Sequence, residues 1–192
     1  MLINDPAGPL PARPLDSSAR PDPVSLRSRV RPGDESLVRS LSAASGLFNP
    51  GEIDLAGELV QERLAKGPAS GYHFIIAEVL GKPVGYTCFG PIPLTRFSYD
   101  LYWIAVAREH QGLGYGRRLL AEVEARVGEW GGTRIYAETS GRPDYLPTRG
   151  FYLSQGFREA AVLTDFYDLG EAKVVYLKIL DPAAKGTSGL GD

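Results

Sequence analysis

A chain of 192 residues with a net charge of −2 fits one domain with a sizeable core. That balance excludes the broad basic field of a nucleic-acid binder. A single cysteine, Cys88, excludes an intrachain disulfide framework, and His73 and His110, far apart and without cysteine partners, offer no zinc spacing.

No apolar run approaches the roughly 18 residues of a membrane helix. The opening "MLINDPAGPLPARP" lacks the basic region and long apolar segment of a secretory signal. The expectation is a cytoplasmic protein, monomer or homodimer, with no metal, nucleic acid or membrane partner. Residues 1–23 are dense in proline and poor in large apolar groups, so a disordered tail is expected there. Residues 181–192 read as a flexible C-terminal tail, leaving 24–180 as the folded domain.

In chain order, "VSLRSRV" alternates as a half-buried strand does. "PGDESLVRSLSAAS" offers Asp34 as a cap before a helix. "GEIDLAGELVQERLAKG" predicts a second helix with Leu55, Ala56, Leu59, Val60 and Leu64 on its buried face and Gly67 at its stop. "HFIIAEVL" and "PVGYTCFG" flank Gly81-Lys82, a pair suited to a type II′ hairpin turn. "FSYDLYWIAV" is a third long strand. After "HQGLGYG", Gly116, Leu119, Leu120, Val123, Val127 and Trp130 follow the helical period. "TRIYAET" is the next strand, and "PTRGFYLSQG" a short helix with Pro147 in its first turn and Gly156 as its stop. Strands near 157–166 and 173–180 end the domain. The order β-α-α-β-β-β-α-β-α-β-β predicts a mixed sheet with helices packed on it, in the α/β or α+β class.

Three glycines at alternate positions, Gly112, Gly114 and Gly116, stand between a strand and a helix. Glycine is costly in ordered structure, and a turn alone needs fewer. A helix N-terminus exposes unpaired N–H groups and about half a positive charge. Glycines let a ligand oxygen reach those donors, so a phosphate or pyrophosphate is the implied ligand. No Gly-Lys-Ser/Thr follows, so this is not a Walker loop. The hairpins that precede it argue against a dinucleotide-binding Rossmann unit.

"WIAVAREHQGLGYGRRLL" resembles the acetyl-CoA motif of the GNAT N-acetyltransferases. Gln111, Gly114 and Gly116 match its Gln/Arg-x-x-Gly-x-Gly/Ala, and Ile104, Ala105 and Val106 match its strand end. "FYLSQGF", residues 151–157, matches a second family motif in the expected order. The resemblance spans roughly residues 24–180 and implies a mostly antiparallel central sheet flanked by helices. It implies acetyl-CoA as cofactor, its pyrophosphate on the amides of Gly112, Leu113, Gly114, Tyr115, Gly116 and Arg117. The pantetheine arm would pair with Ile104–Val106 like an added strand, in a gap where that strand splays from its neighbour.

The resemblance further implies direct attack of an amine on the thioester. Tyr152 stands in the acid position. For the base, Glu138 resembles the catalytic Glu of bacterial enzymes that acetylate ribosomal-protein N-termini, a subgroup this chain resembles; Asp100 and Tyr102, two apart on one strand face, are the other candidates. Where many relatives carry an Asn against the cofactor, this chain has Tyr145, with Thr148 the nearest polar replacement. In the last hairpin, Phe166, Tyr167, Asp168 and Glu171 resemble a cover over an incoming peptide, with Asp165 and Asp168 as acids to attract a cationic amine. The acceptor is a protein or peptide N-terminus or a small amine. A non-catalytic acyl-CoA sensor or interaction domain is the alternative.

Overall fold

The structure is a computed structural model that describes residues 23–181. Of the tails expected at 1–23 and 181–192, residues 1–22 and 182–192 lie outside the described residues. Among the described residues the element order is the one read from the sequence, with three short 3₁₀ turns added.

The first strand, β1 (Val24–Arg27), is shorter than the alternation to Val30 predicts. Arg27 ends it. Its guanidinium donates to Asp34 at 2.8 and 3.0 Å, to Glu78 at 2.9 Å and to the Arg29 carbonyl at 2.6 Å, and this folds the chain back. Asp34 is therefore not the cap of α1 (Asp34–Ser45). Gly33 caps it in the left-handed region, and the buried Asp34 carboxylate is committed to Arg27 and the Arg31 N–H.

Helix α2 (Pro50–Lys66) starts on a capping box: Asn49 Oδ1 accepts from the Glu52 N–H, and Glu52 Oε2 accepts from the Asn49 N–H. Its buried face is narrower than predicted. Ala56 and Val60 are fully buried, whereas Leu55 and Leu64 are exposed. Leu55 turns instead to a cavity described below.

Strands β2 (His73–Val79) and β3 (Lys82–Pro91) form a hairpin whose turn is Leu80-Gly81, not Gly81-Lys82. Lys82 already pairs with Val79, and both turn residues have positive φ, 50° and 76°. That is the pattern of type I′, whose twist suits the flanking strands.

The sheet continues through β4 (Ser98–Val106), β5 (Arg134–Ser140), β7 (Glu171–Ile179) and the edge strand β6 (Arg158–Asp168), in the order β1-β2-β3-β4-β5-β7-β6. Every pairing is antiparallel except β4 with β5. That parallel pair runs only from Ser98↔Arg134 to Leu101↔Ala137. Beyond it the two strands diverge. Here β4 carries a bulge: Cys88 pairs with Trp103 and Phe89 with Leu101, leaving Tyr102 as the extra residue.

One sheet face is covered by α1 and α2, around Val38, Val60, Phe74 and Tyr86. The other carries α3 (Tyr115–Glu129) and the core of Leu119, Leu120, Val123, Val127 and Ile135. Tyr152, on α4 (Leu146–Ser154), belongs to that second core. Four aliphatic side chains of α3 are 1% exposed or less. At about 1.5–3 kcal/mol each, they outweigh the roughly 1 kcal/mol that each glycine costs the loop before them. Trp130, placed on the α3 face by its spacing, lies past the helix end, 44% exposed, stacked on Phe89.

Candidate active site

The divergence of β4 from β5 defines the site. On the α3–α4 side of the gap lies a cavity of about 460 Å³, built on the end of β4 and the glycine loop. Ile104, Ala105, Val106, Gln111, Gly112, Gly114, Tyr115, Gly116 and Arg117 all line it. Leu113 does not; it is 47% exposed. The Gln111 side chain is occupied within the protein. Its Nε2 donates to the Val106 carbonyl at 3.0 Å and the Ser45 carbonyl at 3.3 Å, tying the loop to β4 and α1.

Gly112 and Gly114 have φ of 77° and 84°, a region that side chains other than glycine seldom adopt. A Cβ on either would meet no atom within 4 Å. Internal crowding therefore does not explain these glycines; backbone shape and an open approach do. The first bond of α3 is Arg118 N–H to the Gly114 carbonyl, 3.2 Å. The N–H groups of Tyr115, Gly116 and Arg117 thus have no partner in the helix. The first turn of α3 holds no acidic residue, so its positive end faces the cavity unopposed. Open approach, free amides and positive dipole together fit a phosphate-bearing ligand.

On the α1–α2 side the gap opens into a second cavity of about 990 Å³. It brings together Asp100, Tyr102, Glu138, Tyr152 and Tyr167 from β4, β5, α4 and β6. Leu47, Ile104 and Thr148 line both cavities, so the two meet at the gap. Five carboxylates, Glu52, Asp100, Glu138, Asp144 and Glu171, stand in the wall against two cations, Arg142 and Lys173.

The carboxylates differ in state. Burial, helped by the neighbouring Glu138 charge and opposed by Lys173, raises Asp100 to about 6. Glu138, half exposed, is paired with Lys173 at 2.6 Å. Burial and the Asp100 charge push the Tyr102 phenol up to about 12. Tyr167 also rises to about 12, by burial and then the Glu138 charge. Burial alone drives Tyr152 well above the usual phenol range. Its ring packs between Phe151, Phe157 and Tyr176 at 5.3–5.6 Å, so it stays a protonated donor.

Three of the expected residues of the last hairpin, Asp165, Phe166 and Asp168, fall outside the wall. Asp168 accepts the Leu169 N–H and Asp165 the Gly170 N–H, each at 2.7 Å, so these carboxylates cap the turn. Phe166 lies under the Lys173 ammonium, 3.7 Å from ring centroid to Nζ. It touches the site through the lysine that holds Glu138 and through the edge-on Tyr167 ring, 5.0 Å away. Tyr145, at the place of the family's Asn, donates to the Leu47 carbonyl at 3.0 Å. It bridges the two loops over the junction.

The sequence reading did not single out Trp103, Thr139, Phe48 or Glu52, all in the wall of the second cavity. Trp103 reaches it because of the bulge at Tyr102, which no local pattern announces. The Asn49–Glu52 box was a readable signal for where α2 begins, and so for the position of Glu52. Among the described residues no cluster of three or more His, Cys, Asp or Glu is arranged for a metal, and no helix is long and apolar enough to cross a membrane.

A splayed β4–β5 pair with a glycine-loop helix on one side and an acidic cleft on the other defines a group-transfer enzyme of mixed α/β fold. The Acetyltransferase (GNAT) family matches residues 41–157, and the chain belongs to that family. A comparison with curated proteins finds no match. Among solved structures, a GNAT-family protein from Desulfovibrio desulfuricans is 47% identical, with a TM-score of 0.81 over 83% of this chain and 100% of that one. The ribosomal-protein-S18-alanine N-acetyltransferase of Escherichia coli is 17% identical, with a TM-score of 0.67 over 85% of this chain and 98% of its own. An aminoglycoside 6′-N-acetyltransferase complexed with coenzyme A is 20% identical, with a TM-score of 0.67 over 83% of this chain and 97% of its own. The last two show the shared fold.

Proposed function

We propose that this protein transfers an acetyl group from acetyl-CoA to the primary amine of a cationic acceptor, by direct attack with both bound. The observation that carries this reading is the single gap, with phosphate-binding geometry on one face and an acid-lined cleft on the other. When bound, acetyl-CoA supplies an acetyl thioester as electrophile and a thiol as leaving group. The free amides of Tyr115, Gly116 and Arg117 hold its pyrophosphate, and the unpaired edge of β4 from Tyr102 to Val106 takes its arm as an added strand.

The acidic wall draws in an ammonium and orients it. An ammonium has no lone pair, so a base must take a proton first. Asp100 suits this better than Glu138. Burial raises Asp100 to about 6 and it has no ion pair among the described residues, whereas Glu138 is held by Lys173. Glu138 instead acts through its charge, which keeps the Asp100 proton affinity high. Tyr152 gives a proton to the departing thiolate. The cleft's size suits an acceptor as large as a peptide N-terminus, and a small polyamine or amino sugar also fits.

Tyr152→Phe keeps every ring contact and removes the proton. Turnover should fall by about tenfold or more, with acetyl-CoA affinity by calorimetry nearly unchanged. Equal turnover in the two proteins would remove Tyr152 from the chemistry.

Release of free thiol from acetyl-CoA, against a panel of short peptides with free N-termini, polyamines and aminoglycosides, tests the reaction. Mass spectrometry should find one class gaining an acetyl group on its amine. A protein that binds acetyl-CoA yet releases no thiol with any amine is a sensor or interaction domain instead.

A further inference from the structure

The gap holds a polar group with no part in the chemistry proposed so far. Thr139 is 6% exposed, and its Oγ1 is buried with no hydrogen-bond partner among the described residues. A buried hydroxyl left unpaired is unfavourable, and nearly all such groups in folded proteins have a partner. Thr139 sits two residues past Ala137, the last β5 residue that pairs with β4. On its other side β5 remains in register with β7, where Thr139 pairs with Val174. The hydroxyl is thus fixed on a rigid strand, beside the stretch where that strand lacks a neighbour.

Strand parity assigns its side. Ile135 and Ala137 belong to the core under α3 and α4, and Thr139, two further on, shares their face. Tyr136 and Glu138 alternate to the other face, toward Asp100. Tyr152, Ile104 and Val106 are on the Thr139 side. The coenzyme arm comes from that side, and the amine comes from the other. Thr139 and Tyr152 both line the larger cavity, which meets the coenzyme-side cavity at Leu47, Ile104 and Thr148.

We propose that Thr139 donates a hydrogen bond to the sulfur of the acetyl thioester and holds it through transfer, as a second hydroxyl beside Tyr152. The inference rests on acetyl-CoA being the cofactor. As the amine nitrogen bonds to the acetyl carbon, the C–S bond breaks and its electron pair goes to sulfur. Thr139 keeps its own proton and stabilises that charge. Tyr152 supplies the proton the sulfur takes up and is reprotonated by the one that left the amine. In the free protein Oγ1 is buried and unpaired among the described residues. Seating the arm in the gap gives it a partner.

Thr139→Val is close to isosteric and suits a strand. If the hydroxyl were only structural, valine would be neutral or stabilising, because it removes an unpaired polar group. The test uses the full chain with coenzyme A as probe. The pH at which the bound thiol ionises is followed by thiolate absorbance in the ultraviolet. Thr139→Val should raise that pH by roughly one unit and lower turnover about tenfold, as one charge-assisted hydrogen bond would. Its melting temperature should be unchanged or higher. Thr139→Ser keeps the hydroxyl and should restore both values. An unchanged ionisation pH with wild-type turnover in Thr139→Val overturns the proposal and leaves the cofactor assignment standing. Failure of the wild-type protein to bind coenzyme A overturns both.

Discussion

Asp100→Asn should abolish the acid limb of the pH–rate profile and lower kcat/KM by about 10² to 10⁴, the range for losing a positioned general base. In the wild type the limb should lie near pH 6, where burial and the Glu138 charge hold Asp100. Below that pH the carboxyl is protonated, and activity should fall about tenfold per unit. Glu138→Gln should behave differently. It removes a charge that raises Asp100 and frees Lys173, which lowers it. The limb should then move to lower pH and persist. Were Glu138→Gln to erase the limb while Asp100→Asn kept it, the base would be Glu138.

Stability separates this from damage to the fold. The native proton affinity of Asp100 lies above its ordinary value of 3.8. Its proton is bound more tightly in the native state, so its contribution favours folding as pH falls toward 3.8. The matching penalty is fully present above about pH 6. Asp100→Asn removes that penalty. Its melting temperature at pH 8 should match or exceed that of the wild type, while its activity collapses.

Gly114→Val should weaken acetyl-CoA binding by a hundredfold or more. At φ 84° a side chain costs about 1–2 kcal/mol, and a β-branched one more. The new methyls would occupy the open space through which a phosphate reaches the α3 amides. A charge-assisted hydrogen bond lost there costs a further 1.5–3 kcal/mol or so. The fold should survive, because stability of about 5–15 kcal/mol exceeds the strain, and a drop of a few degrees in melting temperature is expected. Calorimetry on the folded variant measures the effect. Near-wild-type affinity would remove the loop from the cofactor site.

What the sequence determined by itself was local. Period, apolar runs and turn chemistry placed every α-helix and strand in order, because the 3.6-residue stripe of α3 and the continuous apolar runs of β2 and β3 are each written in neighbouring residues. The glycine loop was legible for the same reason: a left-handed cap and an open helix end need particular residues at particular offsets. Errors of local reading arose where a second partner only a few residues away, seven for Arg27 and three for Val79, won over the expected one. Arg27 took Asp34 away from its cap, and Lys82 was drawn into pairing with Val79.

The division of labour among the carboxylates was decided only by the tertiary structure. Asp100, Glu138 and Lys173 lie on β4, β5 and β7, up to 73 residues apart in sequence, and no spacing reveals which of them is buried or paired. Proton affinity depends on desolvation and nearby charge, and both arise when strands meet. The same holds for Asp168, an acid at a plausible place that spends its carboxylate on a turn amide. It holds too for Trp103, brought into the cleft by a bulge, and for Thr139, whose buried hydroxyl lacks a partner among the described residues.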